Sequence, residues 1–76
     1  MFTKEEYEKY KEMVNANGAT SVDISKRKYM ILGTYGCTIY CRIGSTWKSK
    51  HISDWRNKSY TQANVELRNQ HWRDEG

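Results

Sequence analysis

The chain has no proline, a single phenylalanine, two cysteines and no long run of apolar residues. A membrane-spanning helix needs about 18 consecutive apolar residues, so none is expected. Two cysteines are too few for a disulfide framework. Cys37 and Cys41 stand four residues apart, and on one strand that spacing makes a mutual bridge geometrically poor. Such cysteine usage points to a reducing cytoplasm as the compartment. The opening segment, Met1-Phe2-Thr3-Lys4-Glu5-Glu6, has no apolar stretch behind it, so it is not expected to act as a secretory signal. Also missing are a Gly-rich phosphate loop, HExxH, GxSxG and any paired-carboxylate motif. Acids beyond the first helix are only Asp23, Asp54, Glu66, Asp74 and Glu75, and they are scattered. The parts for acid–base or nucleophilic catalysis are missing, so the expectation is no enzyme and no cofactor.

Aliphatic residues are scarce as well. Leu, Ile, Val and Phe together number 11 of 76 residues, a proportion at which disorder competes with folding. What offsets this is aromatic: six Tyr and three Trp, each ring able to bury some 150–250 Å². A chain this short makes one domain, residues 1–76, with a thin core.

The net charge of +4 is unevenly spread. Residues 1–12 sum to −1 and residues 13–73 to +7, and Asp74-Glu75 add −2. A basic surplus concentrated in the middle and C-terminal portions favours an anionic partner.

The hydrophobic periods divide the chain into three parts. Thr3-Lys4-Glu5-Glu6 reads as a capping box, and Phe2 with Tyr7 has the spacing of a hydrophobic staple. Tyr7, Tyr10, Met13 and Val14 then recur at helical intervals, and Asn17-Gly18 ends the helix. This predicts a helix over about 4–16. Residues 20–52 alternate with period two. Val22 and Ile24 mark a first strand, Ser25-Lys26-Arg27-Lys28 a polar turn, and Tyr29-Met30-Ile31-Leu32 a second strand. Gly33-Thr34-Tyr35-Gly36 suits a hairpin reversal. The next strand sends Cys37, Ile39, Cys41 and Ile43 one way and Thr38, Tyr40 and Arg42 the other. Gly44-Ser45 turns the chain into Trp47-Lys48-Ser49-Lys50-His51-Ile52. Ser59-Tyr60-Thr61-Gln62 is a second capping box and opens a helix over about 60–73. Tyr60, Ala63, Leu67 and His71 lie along its inner face with Trp72 beside them, and Gly76 follows. The expected fold is α+β: an antiparallel three- to four-stranded meander with an N-terminal and a C-terminal helix packed on one face. Ile39, Ile43, Ile31 or Leu32, Tyr10, Val14 and Leu67 should be buried together.

Cys37, Cys41, His51 and His71 have the chemistry of metal ligands, and a three-residue gap between cysteines is nominally a zinc spacing. Such gaps normally lie in turns where both sulfurs converge on a metal. Here Ile39 stands between the cysteines on one strand face. Two buried thiols serving as small hydrophobes explain the pattern without a metal, so none is expected. A Cys–His nucleophile fails likewise, because reactive thiols sit in exposed electropositive surroundings.

The positive signal is a basic and aromatic sheet face. Tyr40 and Arg42 project away from the core, and Lys48 and Lys50 share one parity and are expected beside them. Trp47 adds a ring, Lys26-Arg27-Lys28 forms one rim, and Arg56 with Lys58 another. Lys and Arg neutralise phosphates while Tyr and Trp stack on bases, so nucleic acid is the favoured partner. The same residue types dominate protein-interface hot spots, which makes a host protein the alternative partner. A wet sheet face also needs polar residues whatever its function, and Thr, Lys, Arg and Tyr are ordinary choices there.

Three strands followed by a helix over residues 28–73 resemble, in topology, sheet-type DNA-binding modules such as plant AP2 domains and integrase arm-binding domains. That resemblance implies DNA binding and transfers no residue. The compact, charged, Lys-, Tyr- and Asn-rich composition is similar to that of small accessory proteins of bacteriophages, which would imply an inhibitor of host machinery.

Overall fold

In the computed structural model, which describes residues 3–74, Thr3 caps helix α1 (Lys4–Asn17). The Glu6 amide donates to the Thr3 hydroxyl at 3.1 Å and the Thr3 amide to the Glu6 carboxylate at 2.9 Å, closing the expected capping box. Accepting that backbone bond holds the Glu6 carboxyl below its ordinary range. Phe2, the proposed staple partner, lies outside the described residues, as do Glu75 and Gly76. Gly18 ends the helix with φ of 76° and ψ of −155°, its amide returning to the Val14 carbonyl. A positive φ there suits glycine, although this ψ lies outside the left-handed helical region.

Four strands follow as a meander: β1 (Thr20–Ser25), β2 (Lys28–Leu32), β3 (Gly36–Ile43) and β4 (Thr46–Ser53). All pairings are antiparallel, with a register shift between Asp23 and Ser25 of β1. The β3–β4 link is the two-residue Gly44-Ser45 turn, with φ of 66° at Gly44 alone, the arrangement of a type II′ hairpin. A 3-10 turn (Trp55–Asn57) leads to Ser59, whose capping box with Gln62 opens α2 (Tyr60–Asn69).

The second helix stops four residues short of the expected end. Gln70 takes extended backbone angles, and Arg73–Asp74 pair with β4 as a fifth strand, β5. The physical reason is the unpaired edge of β4, whose backbone groups need partners. The Gln70 side chain meets part of that need by accepting from the His51 amide at 3.0 Å and donating to its carbonyl. His71 and Trp72 are therefore outside the helix, and the sheet has five strands in the order β1-β2-β3-β4-β5.

The buried hydrophobic sheet residues share one parity: Met30, Leu32, Cys37, Ile39 and Ile52. They form one core with Tyr7, Tyr10 and Val14 of α1, Ala63 and Leu67 of α2, and Trp55. The aromatics supply what the aliphatics lack. Trp55 is fully buried, and its indole N–H donates to the Gly33 carbonyl at 2.8 Å. Tyr7 packs edge-on against Trp55, and its hydroxyl donates to the Trp55 carbonyl at 2.6 Å. Ile43 was expected in this core but is 44% exposed. It ends β3 beside the turn, beyond the reach of the buried cluster. Of the pair Ile31 or Leu32, Leu32 is buried and Ile31 is 41% exposed.

Candidate functional site

The other parity of the sheet forms its open face. Antiparallel partners directly across from each other point the same way, so the registers place these residues in rows. The central row runs Asp23, Tyr29, Tyr40, Ser49 and Arg73 across all five strands. On one side of it lie Ser21, Ile31, Thr38 and His51. On the other, next to the hairpin turns, Arg42 stands opposite Trp47.

Three rings meet on this face. Tyr29 and Tyr40 stack with centroids 4.8 Å apart and planes within 16°. Trp47 approaches Tyr29 edge-on at 5.3 Å. Strand spacing of about 4.8 Å explains the stack, since side chains on facing positions rise side by side. All three rings are half-buried, and Ser49 is buried among this row. Sequence reasoning placed Tyr40 on the surface and named Trp47 as a binding candidate without fixing whether it lay in the core, and it missed Tyr29 and Arg73. Tyr29 was legible: it alternates with Met30 and Leu32, and the 33–35 loop sets it opposite Tyr40.

Lys48 and Lys50 are not on this face. Lys48 stands opposite Cys41 and Lys50 opposite Ile39, on the core parity. Lys50 uses its long stem to pass along apolar surface. Its ammonium donates to the Leu67 carbonyl at 2.9 Å and sits 4.7 Å from the centre of the Trp72 ring. Lys48 pairs with Asp74 at 3.1 Å. The two-residue Gly44-Ser45 turn is the cause. It sets Ile43 opposite Thr46, so even-numbered residues of β3 face odd-numbered residues of β4.

The proposed second rim is also occupied. Lys58 pairs with Glu66 at 2.5 Å. Arg56 donates to the Thr34 carbonyl at 3.2 Å and to the Asn15 side chain. It lines a polar cleft of about 440 Å³ with Lys11, Asp54 and Tyr35, at the end of the sheet opposite the Lys26-Arg27 turn.

What remains is a cationic end. Lys26 and Arg27 form the exposed β1–β2 turn, and the Arg42 amide donates to the Arg27 carbonyl at 2.8 Å, which ties the two hairpins together. Lys28 is half-buried on the core parity, opposite Cys41. Among the described residues the ion pairs are Lys11–Glu8, Lys48–Asp74 and Lys58–Glu66, so Lys26, Arg27, Lys28, Arg42 and Arg73 are left outside any of them.

The cysteine chemistry is closed off. Burial pushes the Cys37 thiol up to about 12, well above the pH at which it would act as a nucleophile. Cys41 is half-buried on the same parity, whereas His51 is on the opposite face, its ring nitrogen 2.9 Å from the Thr38 hydroxyl. Among the described residues no three His, Cys, Asp or Glu side chains gather as metal ligands. Compared with known proteins, the chain matches no family model, no curated protein and no solved structure.

Proposed function

We propose that this protein is a small non-enzymatic binding domain of the cytoplasm that engages nucleic acid through the open face of its sheet. In this reading both helices cover the other face and leave the open one to the ligand. The observation that carries the reading is the juxtaposition of two unlike features on neighbouring strand positions: the Tyr29–Tyr40–Trp47 cluster and the cationic end formed by Lys26, Arg27 and Arg42. Base stacking needs exposed π-faces, and phosphate contact needs cations that are not already paired. Both requirements meet at the Arg42–Trp47 pair, where a cation and an indole lie on facing positions.

A second reading rests on Ile31, 41% exposed on the same face, and on the inward placement of Lys48 and Lys50. Fewer cations and an added aliphatic fit a protein partner, with the phage-type inhibitor as the specific form. Binding of fluorescent oligonucleotides at a series of salt concentrations separates the two. Nucleic-acid binding predicts an affinity that falls with salt along a log–log slope of roughly −2 to −4, set by three or four phosphate contacts. Arg42→Ala should flatten that slope by close to one contact's share. No binding to DNA or RNA at about 50 mM salt, where phosphate contacts are strongest, would hand the face to the protein partner.

A further inference from the structure

Resting on the nucleic-acid reading, we infer that the ligand is a single polynucleotide strand, its backbone on the Arg27–Arg42–Arg73 side and its bases on the three rings. The groove of a duplex is walled by two phosphate backbones, and a ribbon or sheet that enters it needs cations along both sides. Among the described residues, the open face offers cations on one side only. Lys26, Arg27 and Arg42 occupy the turn end, and Arg73 continues toward β5 in the central row. The β1 end of that same row carries Asp23, which repels phosphate. The row away from the turns holds Ser21, Ile31, Thr38 and His51, with no permanent positive charge. One rail of cations matches one backbone.

The rings point the same way. In a duplex the base faces are hidden in the stack and only their edges are reachable, so the part of each ring left open to solvent has no base face to meet. A single strand presents whole faces, and a sheet-borne aromatic group typically accommodates two or three bases. From the β1–β2 turn to β5 the rail crosses about three strand spacings, roughly 14 Å, which is enough for a short site and not for a long tract. Arg42 and Trp47 share one cross-strand position, so each nucleotide there meets a charge and a ring together.

The test compares a labelled 12-nucleotide oligo-dT, the matching oligo-rU and a 12-base-pair duplex of mixed sequence at about 50 mM salt. Single strands should bind at least tenfold more tightly than duplex, with a salt slope near −2 for about three phosphates at the single-strand coefficient. Preference between oligo-dT and oligo-rU reports whether the sugar hydroxyl is read, and either preference is compatible with a single strand. Tyr40→Ala and Trp47→Ala should each weaken single-strand binding roughly 5- to 100-fold, the range for one lost base stack. Tyr40→Phe and Trp47→Phe keep a ring and should stay within a few-fold of the unaltered protein, which controls for folding. Trp emission should be quenched by oligo-dT in the unaltered protein and much less in Trp47→Phe. Equal or tighter duplex binding would overturn the single-strand inference while leaving nucleic-acid binding in place. Failure of all three probes to bind would instead sink the broader reading. Alanine variants that melt normally yet bind single strands undiminished would remove the rings from the site.

Discussion

Three buried acids of the weak kind, the Cys37 thiol and the Tyr7 and Tyr10 phenols, show how heavily this small core draws on polarisable and aromatic side chains, and burial raises all three. The thiol goes from its ordinary 9.0 to about 12 and the Tyr7 phenol from 10.0 to about 12. Well below pH 9 these groups are protonated whether the chain is folded or not, and their titration contributes nothing to the balance. Above it the unfolded chain releases protons that the folded chain retains, so stability falls from about pH 9 toward 12. Urea melts at pH 7, 9 and 10.5 should show a falling midpoint, and Cys37→Ala should lessen the fall while leaving the share due to Tyr7 and Tyr10. A midpoint unchanged to pH 10.5 would mean that none of these groups is shielded from solvent. In the folded protein at pH 8, a thiol reagent should modify the half-buried Cys41 and spare Cys37.

At the level of elements, helix starts were the most legible feature of the sequence. Both capping boxes form, because Thr3–Glu6 and Ser59–Gln62 satisfy orphan amides locally and need no tertiary context. The end of α2 was illegible for the converse reason. Residues 70–74 leave the helix to cover the edge of β4, a partner remote in sequence. The face of Lys48 and Lys50 lies between these cases. Their shared parity is correct, yet charge suggested water whereas the Gly44-Ser45 turn fixes the register and turns them inward. Turn length outranks residue polarity, because a one-residue slip would move Ile52 out of the core. Tyr29 was missed although its alternation with Met30 and Leu32 marks it as surface-facing. The register makes Lys50 a structural residue. Lys50→Ala loses a charged hydrogen bond to the Leu67 carbonyl and its place over Trp72, which should cost about 1–3 kcal/mol in a denaturant melt. The variant should bind oligonucleotides as the unaltered protein does. Weakened binding with undiminished stability would return Lys50 to the ligand face.

Over the whole molecule, charge and apolar surface are partitioned unequally. The core gathers on one parity of the sheet, and the cleft at Arg56 lies at the end remote from the Lys26-Arg27 turn. No helix among the described residues is long and apolar enough to cross a membrane. Of the basic residues, Lys11, Lys48, Lys50, Arg56 and Lys58 are held by internal partners, whereas Lys26, Arg27, Lys28, Arg42 and Arg73, at the turn end and on the open face, have no carboxylate partners among the described residues. Net charge alone therefore overstates what a ligand would meet. The three stacked and edge-on rings become the more specific feature. That the open face receives the ligand is the central claim, and NMR titration of isotope-labelled protein with oligo-dT tests it most directly. The Trp47 indole signal and the backbone amides of Tyr29, Tyr40 and Arg42 should shift together and saturate at one stoichiometry, while Trp55 stays fixed. Shifts confined to α1, α2 or the residues around Arg56 would contradict the account.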